Sequence, residues 1–510
     1  MMFFLLFLAS CQNNSQKQTI NINFHSEPAS LDPRATRDLP SNTVCRLLYD
    51  GLFRMGENGP TYALAQSHTL STDEKTYTFK LRDALWNDGS CVTAFDFEST
   101  WKSTLCSTYV AEEAPLLYVI KNAAAAKRDE LPISEIGVWA EDEKTLIVTL
   151  EYPYPCFLEL LAHPITYPYK EQALQNGPFQ LVRWKPGCDL IVEKNPTYWD
   201  AQSVRLEQII ISMIEDEHTE LNMYEQGELD WAGSPNSSIP PEALPSLKKR
   251  CKDELFMLPI AGTYCYKFNT LSPPFNSQKI RQAFSMGINR TDLIDNILQA
   301  NQVLAAALIP PCISGETAPK IRQQNALELF EAGLSEMGWT RETMPPITLM
   351  FSRSEKHQKV AQVVQQQWNK LFGIKVSLQS FEWNIFLERL NHLNYQVGGR
   401  GYISTLSDPS ALLELYRYTN NHPLGCSNDT GWSNPKYTSL LELAKKTTSH
   451  IARAELLGQA EELILEHAPI APLYHSTACY LKKPYLQGVY ISKMCDIDFK
   501  HAYIDYQLTN

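Results

Sequence analysis

Apolar positions recur along this chain at two spacings, and the spacing changes from stretch to stretch. At every second residue they mark strands, at 19–24, 76–82, 145–150, 179–184, 189–194 and 209–213, and later at 347–351, 374–379 and 470–475. Such alternation places one face of a strand inside and the other outside. At helical spacing they mark 217–226, 278–288, 355–371 and 383–390, then a helical pair at 436–449 and 451–467. Helix is also expected over the Ala-rich 108–136, over 291–300, and over 44–52 after an irregular polar stretch at 34–43. The clearest hairpin is 176–200, where Phe179 and Leu181 face Leu190 and Val192 across Pro186-Gly187. Pro presets φ and Gly accepts positive φ, so that dipeptide turns the chain. Two short strands, 255–259 and 263–269, flank Ala261-Gly262, where the chain changes lobe. From there strand and helix alternate, a cadence that predicts an α/β lobe with helices packed on a sheet. The tail, 485–505, reads as one or two strands.

Composition narrows the class. A chain of 510 residues corresponds to about three to four domain-sized units. With 44% apolar and 20% charged residues it is an ordinary globular mixture. A net charge of −12 argues against a nucleic-acid partner, which needs a basic face. Residues 1–10, MMFFLLFLAS, are apolar but too short to span a bilayer as a helix, and they carry no Lys or Arg. They run through Leu8-Ala9-Ser10-Cys11 into a polar linker at 12–18. That arrangement resembles the bacterial lipobox, which implies acylation of Cys11. Of the 12 Cys none forms a CxxC pair, so no zinc or thioredoxin pattern is present. Free Cys behaves as a small buried hydrophobe, while one or two disulfides stay open for an exported protein.

Catalytic signatures are absent. There is no GxSxG, no GxxxxGK[ST] and no HExxH. The His residues are isolated, and the adjacent carboxylates Glu112-Glu113 and Glu461-Glu462 point apart on a helix. A binding protein without cofactor or metal is expected, not an enzyme.

Several blocks carry a family resemblance. The hairpin NGPFQLVRWKPGCDLIVEKNPTYWD is similar to a GxFxLxxWxPGxxIxLxxNPxYW signature. Glu27-Pro28-Ala29-Ser30-Leu31-Asp32-Pro33 resembles "EPxSLDP", and Leu48-Tyr49-Asp50-Gly51-Leu52 resembles "YEGL". TYTFKLRDALWNDGSCVTAFDFESTW follows "TYTFxLRxxxxWxDGxPxTAxDFxxSW", with Cys91-Val92 in place of the turn-Pro pair. "GELDW" and "PPFN…IRQAFSMGINR" match further blocks, so the likeness runs from about Phe24 to about Val489. The chain thus resembles bacterial extracellular solute-binding proteins of family 5, the oligopeptide/dipeptide/nickel-binding class, and most of all its oligopeptide-binding branch.

The resemblance implies an α/β, periplasmic-binding-protein-like fold of the cluster C type, with two lobes around a ligand cleft and an extra domain inserted in the first lobe. On that pattern 1–18 is lipoprotein signal and linker, 19–60, 174–258 and 477–510 form lobe I, 61–173 is the insertion and 259–476 is lobe II. It implies peptides held by main-chain strand pairing and hinge closure, which explains broad specificity. One contact segment precedes the "YEGL" helix and falls on Leu39–Thr43, which makes Ser41, Asn42 and Thr43 the candidates. The other, "GWxADYxxP", falls on 401–409 and brings in Gly401, Tyr402, Ile403, Thr405 and Asp408. Tyr402 stands where the family has Trp, and Thr405 where it has the Asp that pairs with the ligand's α-amino group. A hydroxyl supplies no charge, and charge-assisted bonds are about twice as strong. Either Asp408 or another carboxylate takes the amine, or the ligand lacks one. Trp383 and Leu387 match an "EWxxFL" pocket block at i, i+4, with core packing an equal reading. His357 matches a His that meets the ligand carboxylate, and Arg400 lies one place from a family Arg of similar duty. Tyr264 and Tyr266 line the cleft near the crossover, and Lys267 falls where some relatives carry an acid. The partners implied are an oligopeptide and an inner-membrane ABC permease and ATPase, with a monomer anchored through Cys11 at the periplasmic or outer face of a membrane. Open alternatives are another ligand (murein peptide, dipeptide or metal chelate), or a sensing or adhesive surface lipoprotein.

Overall fold

The computed structural model describes residues 17–172, 174–315, 325–417 and 428–508. Cys11 lies outside them, and so does Cys426. Among the described residues no helix is long and apolar enough to cross a membrane, and the described cysteines are free thiols.

One sheet runs through the whole molecule. From one end its order is Phe179–Lys185, Asp189–Lys194, Gln208–Met213, Thr19–Phe24, Trp231–Gly233, Ile470–Lys482, Leu255–Phe268, Val397–Ile403, Ile347–Ser352 and Val376–Phe381, with Val303–Leu304 paired to Ile470–Lys482. The expected hairpin forms as an antiparallel pair with Leu181 opposite Val192 and Trp184 opposite Leu190. Its neighbour Gln208–Met213 pairs in parallel with Thr19–Phe24. The two long strands at the centre belong to both halves. Leu255–Phe268 has 14 residues and Ile470–Lys482 has 13, where the periodicity predicts shorter pieces. The break at Ala261-Gly262 is a register shift instead of an end: Pro259 faces Thr477 and Thr263 faces His475. Three residues on one strand thus oppose one on the other, a bulge that bends the pair where it passes between the halves.

The halves have separate cores. Around the first, Ile20, Phe24 and Ile209 of the sheet join Trp86, Trp101 and Phe79, the last from an antiparallel four-stranded sheet ordered Ala65–Leu70, Thr76–Leu81, Thr145–Thr149, Val138–Asp142. Helix Ala94–Thr104 covers that small sheet, and Thr93 with Asp96 forms its capping box. In the second half Trp368 and Phe372 of helix Glu355–Phe372 pack with Phe284 and Phe268, with Tyr416, Tyr437 and Ile464 in a neighbouring cluster.

Four expectations are corrected. Residues 108–136 form only short turns, Ala114–Val119, Ala123–Lys127 and Ile133–Glu135, because Pro115 and Pro132 and the left-handed Asn122 (φ 62°) interrupt them. The first helix spans Leu39–Leu48, starting earlier than expected; the Asp38 carboxylate accepts from the Ser41 N–H at 2.7 Å and Pro40 sits in the first turn. After Arg290–Asp292 the chain continues as a π-helix, Leu293–Leu298, ending at left-handed Gln299. The tail holds four two-residue strands, Leu486–Gln487, Tyr490–Ile491, Ile497–Asp498 and Tyr503–Ile504.

The cleft between the two halves

A cavity of about 420 Å³ opens between the halves. The first half contributes His25, Leu39, Asn236 and Glu217, and the second contributes Ser354, Lys356 and His357. Thr477 and Cys479 of a central strand form its back wall. The halves touch at its margins. Lys359 Nζ reaches Glu242 at 3.1 Å, Lys248 Nζ donates to Asn301 at 3.1 Å, and Ser407 N–H and Oγ–H donate to Glu159 at 2.9 and 2.8 Å.

Of the residues singled out by sequence, His357 alone lines this cavity. Its Nδ1 lies 2.8 Å from Ser352 Oγ, and its ring stacks on Tyr264, which stacks in turn on Tyr474, each at 5.2 Å. Tyr264 is therefore a core ring behind His357, 4% exposed. It fits because Gly399 has no side chain: a Cβ there would meet the Tyr264 hydroxyl and lie 2.7 Å from the Tyr266 ring. Burial, helped by the Lys356 charge, pushes the His357 imidazolium down to about 3. His357 is neutral at pH 7 and offers hydrogen bonding without charge.

Ser41, Asn42 and Thr43 are placed inside helix Leu39–Leu48 and are buried. Ser41 Oγ accepts from Ser30 N–H, and Thr43 bonds Asn236 at 3.2 Å. Their backbone is committed to the helix, so the part of this segment that reaches the cavity is Leu39-Pro40.

A second group gathers along Val397–Ile403. Lys267 and Asp429, both fully buried, form an ion pair. Tyr402 joins it through its hydroxyl, 2.7 Å from Lys267 Nζ. Arg400 lies 3.6 Å from the same carboxylate, over the Tyr402 ring at 4.5 Å and 6.0 Å from the Trp383 ring. Two cations thus share one carboxylate. Trp383 is 48% exposed, whereas Leu387, one turn on, packs against Met350, Phe386 and Leu390. Gly401 and Ile403 are exposed and Thr405 is half-buried. Asp408 is placed elsewhere: it is buried and takes a two-bond fork from Arg453 at 2.6 and 2.9 Å. Burial alone would raise its carboxyl, but Arg453 and Ser410 outweigh that and hold it below its ordinary value.

The residues that sequence reasoning passes over are Lys356, Glu217 and His25. Lys356 adjoins His357 one position after Glu355 in the first turn of the Ser354-capped helix. Glu217 has none, because it shares the cavity with Lys356 only through the long-range packing of the two halves.

Comparison with known proteins places the chain. The model of "Bacterial extracellular solute-binding proteins, family 5 Middle" matches residues 59–423. The oligopeptide-binding protein OppA of Bacillus subtilis (strain 168) is 36% identical, over 99% of this chain and 98% of that protein. Among solved structures, the Escherichia coli murein tripeptide binding protein MppA superposes with a TM-score of 0.86 at 30% identity, covering 96% and 99% of the two chains. Haemophilus influenzae OppA in complex with RPPGFSPFR superposes at 0.85 and 26% identity, again over 96% and 99%. MppA in its unliganded open form scores lower, 0.73 at 30% identity over 96% and 98%, in keeping with halves that meet across the cleft here. On the match across most of its length, and on two halves sharing central strands around a cleft, this chain belongs to the bacterial extracellular solute-binding proteins of family 5.

Proposed function

We propose that this protein captures oligopeptides in the cleft and delivers them to an ABC importer, as a receptor and not as an enzyme. One observation carries the peptide reading. Strand Val397–Ile403 pairs along its full length with Leu255–Phe268, but its other edge pairs with Ile347–Ser352 only at Val397 and Gly398. Residues 399–403 thus present an edge with no strand partner among the described residues, beside exposed Gly401 and Ile403. An extended peptide can complete such an edge through main-chain hydrogen bonds that ignore side-chain identity. Arg400, Tyr402 and the exposed Trp383 then flank the ligand, with Thr405 at its amino end. Asp408 is committed to Arg453, so no acid replaces the missing family Asp at that place.

The domain division follows this reading, with 19–60, 174–258 and 477–510 as lobe I, 61–173 inserted in it and 259–476 as lobe II. The protein acts as a monomer, exported and held to the membrane by acylation of Cys11. Incorporation of labelled palmitate in a bacterial host, lost in Cys11→Ser, tests the anchor.

Peptide capture is tested with a pool of random tri- to hexapeptides. Stabilisation should grow as RT ln(1 + [L]/Kd), and a pool that leaves the melting temperature unmoved at millimolar concentration refutes the reading. Free and N-acetylated forms of one binding peptide should differ little in Kd. A large loss on acetylation would show that some carboxylate does hold the amine.

A further inference from the structure

Just past the open edge at 399–403 the chain changes sides. Strand Val397–Ile403 belongs to the second half, and so does the helix Pro409–Leu413, which buries Leu412 and Leu413 there. Between them Leu406, 2% exposed, is packed into the core of the first half. Its neighbours alternate in the same way. Ser404 N–H donates to Ala261 O at 2.7 Å, at the bulge of the central ribbon, and Ser404 Oγ–H donates to Leu406 O at 2.7 Å. Ser407 gives both of its donors to Glu159 of the first half, an acid that is itself buried, and its Oγ lies 3.7 Å from Met494 Sδ of the tail. Asp408 returns to the second half through the fork from Arg453. Five consecutive residues are thus fixed in turn to the ribbon, to the first half and to the second. No described residue of 61–173 lines the cavity, yet Glu159 from that segment holds the loop that carries Thr405.

We propose that Leu406 is a catch at the hinge, seated in the first half when the cleft is closed and withdrawn when it opens. Glu159 is a positioning residue: it acts through Ser407 on the loop and does not touch the ligand. For what the edge at 399–403 carries, this rests on the peptide reading above; the catch itself does not depend on the ligand's identity. Two bodies that turn about a hinge have to slide or break the contacts between them. A close-packed core does not deform continuously, so a leucine is either in its socket or out of it. Burial supplies most of the holding force, and the two bonds to the Glu159 carboxylate add direction. Because Ser404 is tied to the bulge, a turn of the ribbon pulls directly on Leu406 two residues away. The segment 61–173 then sets how tightly the cleft holds a ligand that it never meets.

The test places an interlobe fluorescence pair on the whole protein and reads the closed fraction without ligand and with the random tri- to hexapeptide pool. Leu406→Ala should move the balance toward open by about 10–100-fold, the range for burying one leucine. It should raise the Kd of the pool by up to the same factor, through faster dissociation. Leu406→Met, of similar volume, should recover most of the loss. Glu159→Gln should move the balance the same way by up to about 10-fold, as the charge leaves the bonds to Ser407. A closed fraction unchanged in Leu406→Ala, with only the melting temperature lowered, makes Leu406 an ordinary core residue and overturns the proposal. Should Leu406→Ala fail to fold, Glu159→Gln decides alone, and an unchanged closed fraction there overturns it equally. If wild type binds nothing in the pool, the peptide reading fails, while the closed fractions of the unliganded variants still decide the catch.

Discussion

At the residue scale, the acids of this protein divide by what meets them. Asp408 is stabilised as an anion by Arg453, with 6% and 12% of the two side chains exposed. Removing one partner of such a buried pair leaves an uncompensated charge. Asp408→Asn should therefore cost about 3–5 kcal/mol in denaturant unfolding, with no change in discrimination between free and acetylated peptides. Its folded pKa is depressed, so its contribution is present above the unfolded carboxylate value and fades as pH falls through the folded one. Glu220 is the opposite case. Gly233 N–H donates to it at 2.8 Å and Ser237 Oγ–H also donates, but burial dominates and pushes it up to about 7. A raised acid pKa means the folded state binds the proton first. Between its ordinary value and about 7 the protein should gain stability as pH falls, by about 1.4 kcal/mol per unit at most. Glu220→Gln should flatten that slope in melting curves recorded from pH 8 to pH 5.5, and an unchanged slope would assign it to other groups.

At the element scale, the interactions across the cleft are few and half exposed. Lys359 bridges Glu242 of the first half and Glu355 of its own helix, with 36% and 42% of the cross-cleft side chains exposed. Such a pair is worth up to about 1 kcal/mol. Lys359→Ala should shift the open–closed balance by no more than about 5-fold, read by an interlobe fluorescence pair, and added salt should mimic the substitution in wild type. How far elements were legible in sequence follows the range of the forces that make them. The hairpin at 179–194, helix Glu355–Phe372 and the helical pair near the end were legible because period and turn chemistry are local. The two central strands were not: their extension through Ala261-Gly262 is set by pairing between residues more than two hundred positions apart. The first helix was expected to start late because Asp38 and Pro40 look like loop residues until the Ser41 N–H finds its cap. Of the expected contact segment Leu39–Thr43, Leu39 and Pro40 line the cavity while Ser41, Asn42 and Thr43 are buried in the helix. At the site, local blocks led to His357 and Arg400, whereas Lys356 and Glu217 become meaningful only when two halves of the chain face each other.

At the scale of the whole molecule, the two cores are joined by hydrogen-bonded strands and not by a flexible linker. The closure proposed for the cleft has to bend a two-stranded ribbon, and the register shift between Pro259 and Thr263 is where its ladder is interrupted. Each core leans on the same ribbon, so the halves should unfold together. Calorimetry of the unliganded protein should give one transition with calorimetric and van't Hoff enthalpies in agreement. Two resolved peaks would show that the ribbon does not couple them.

The unpaired edge at residues 399–403 has a colloidal consequence. An open strand edge is a template for any extended chain, including another copy of the same protein. Here the edge begins where Ile347–Ser352 leaves off and ends beside the hinge, near the contact between Ser407 and Glu159. The open stretch is only residues 399–403, a length that a short extended chain can complete. Its shortness limits it as a template for a second copy, since a long flat edge is the aggregation hazard.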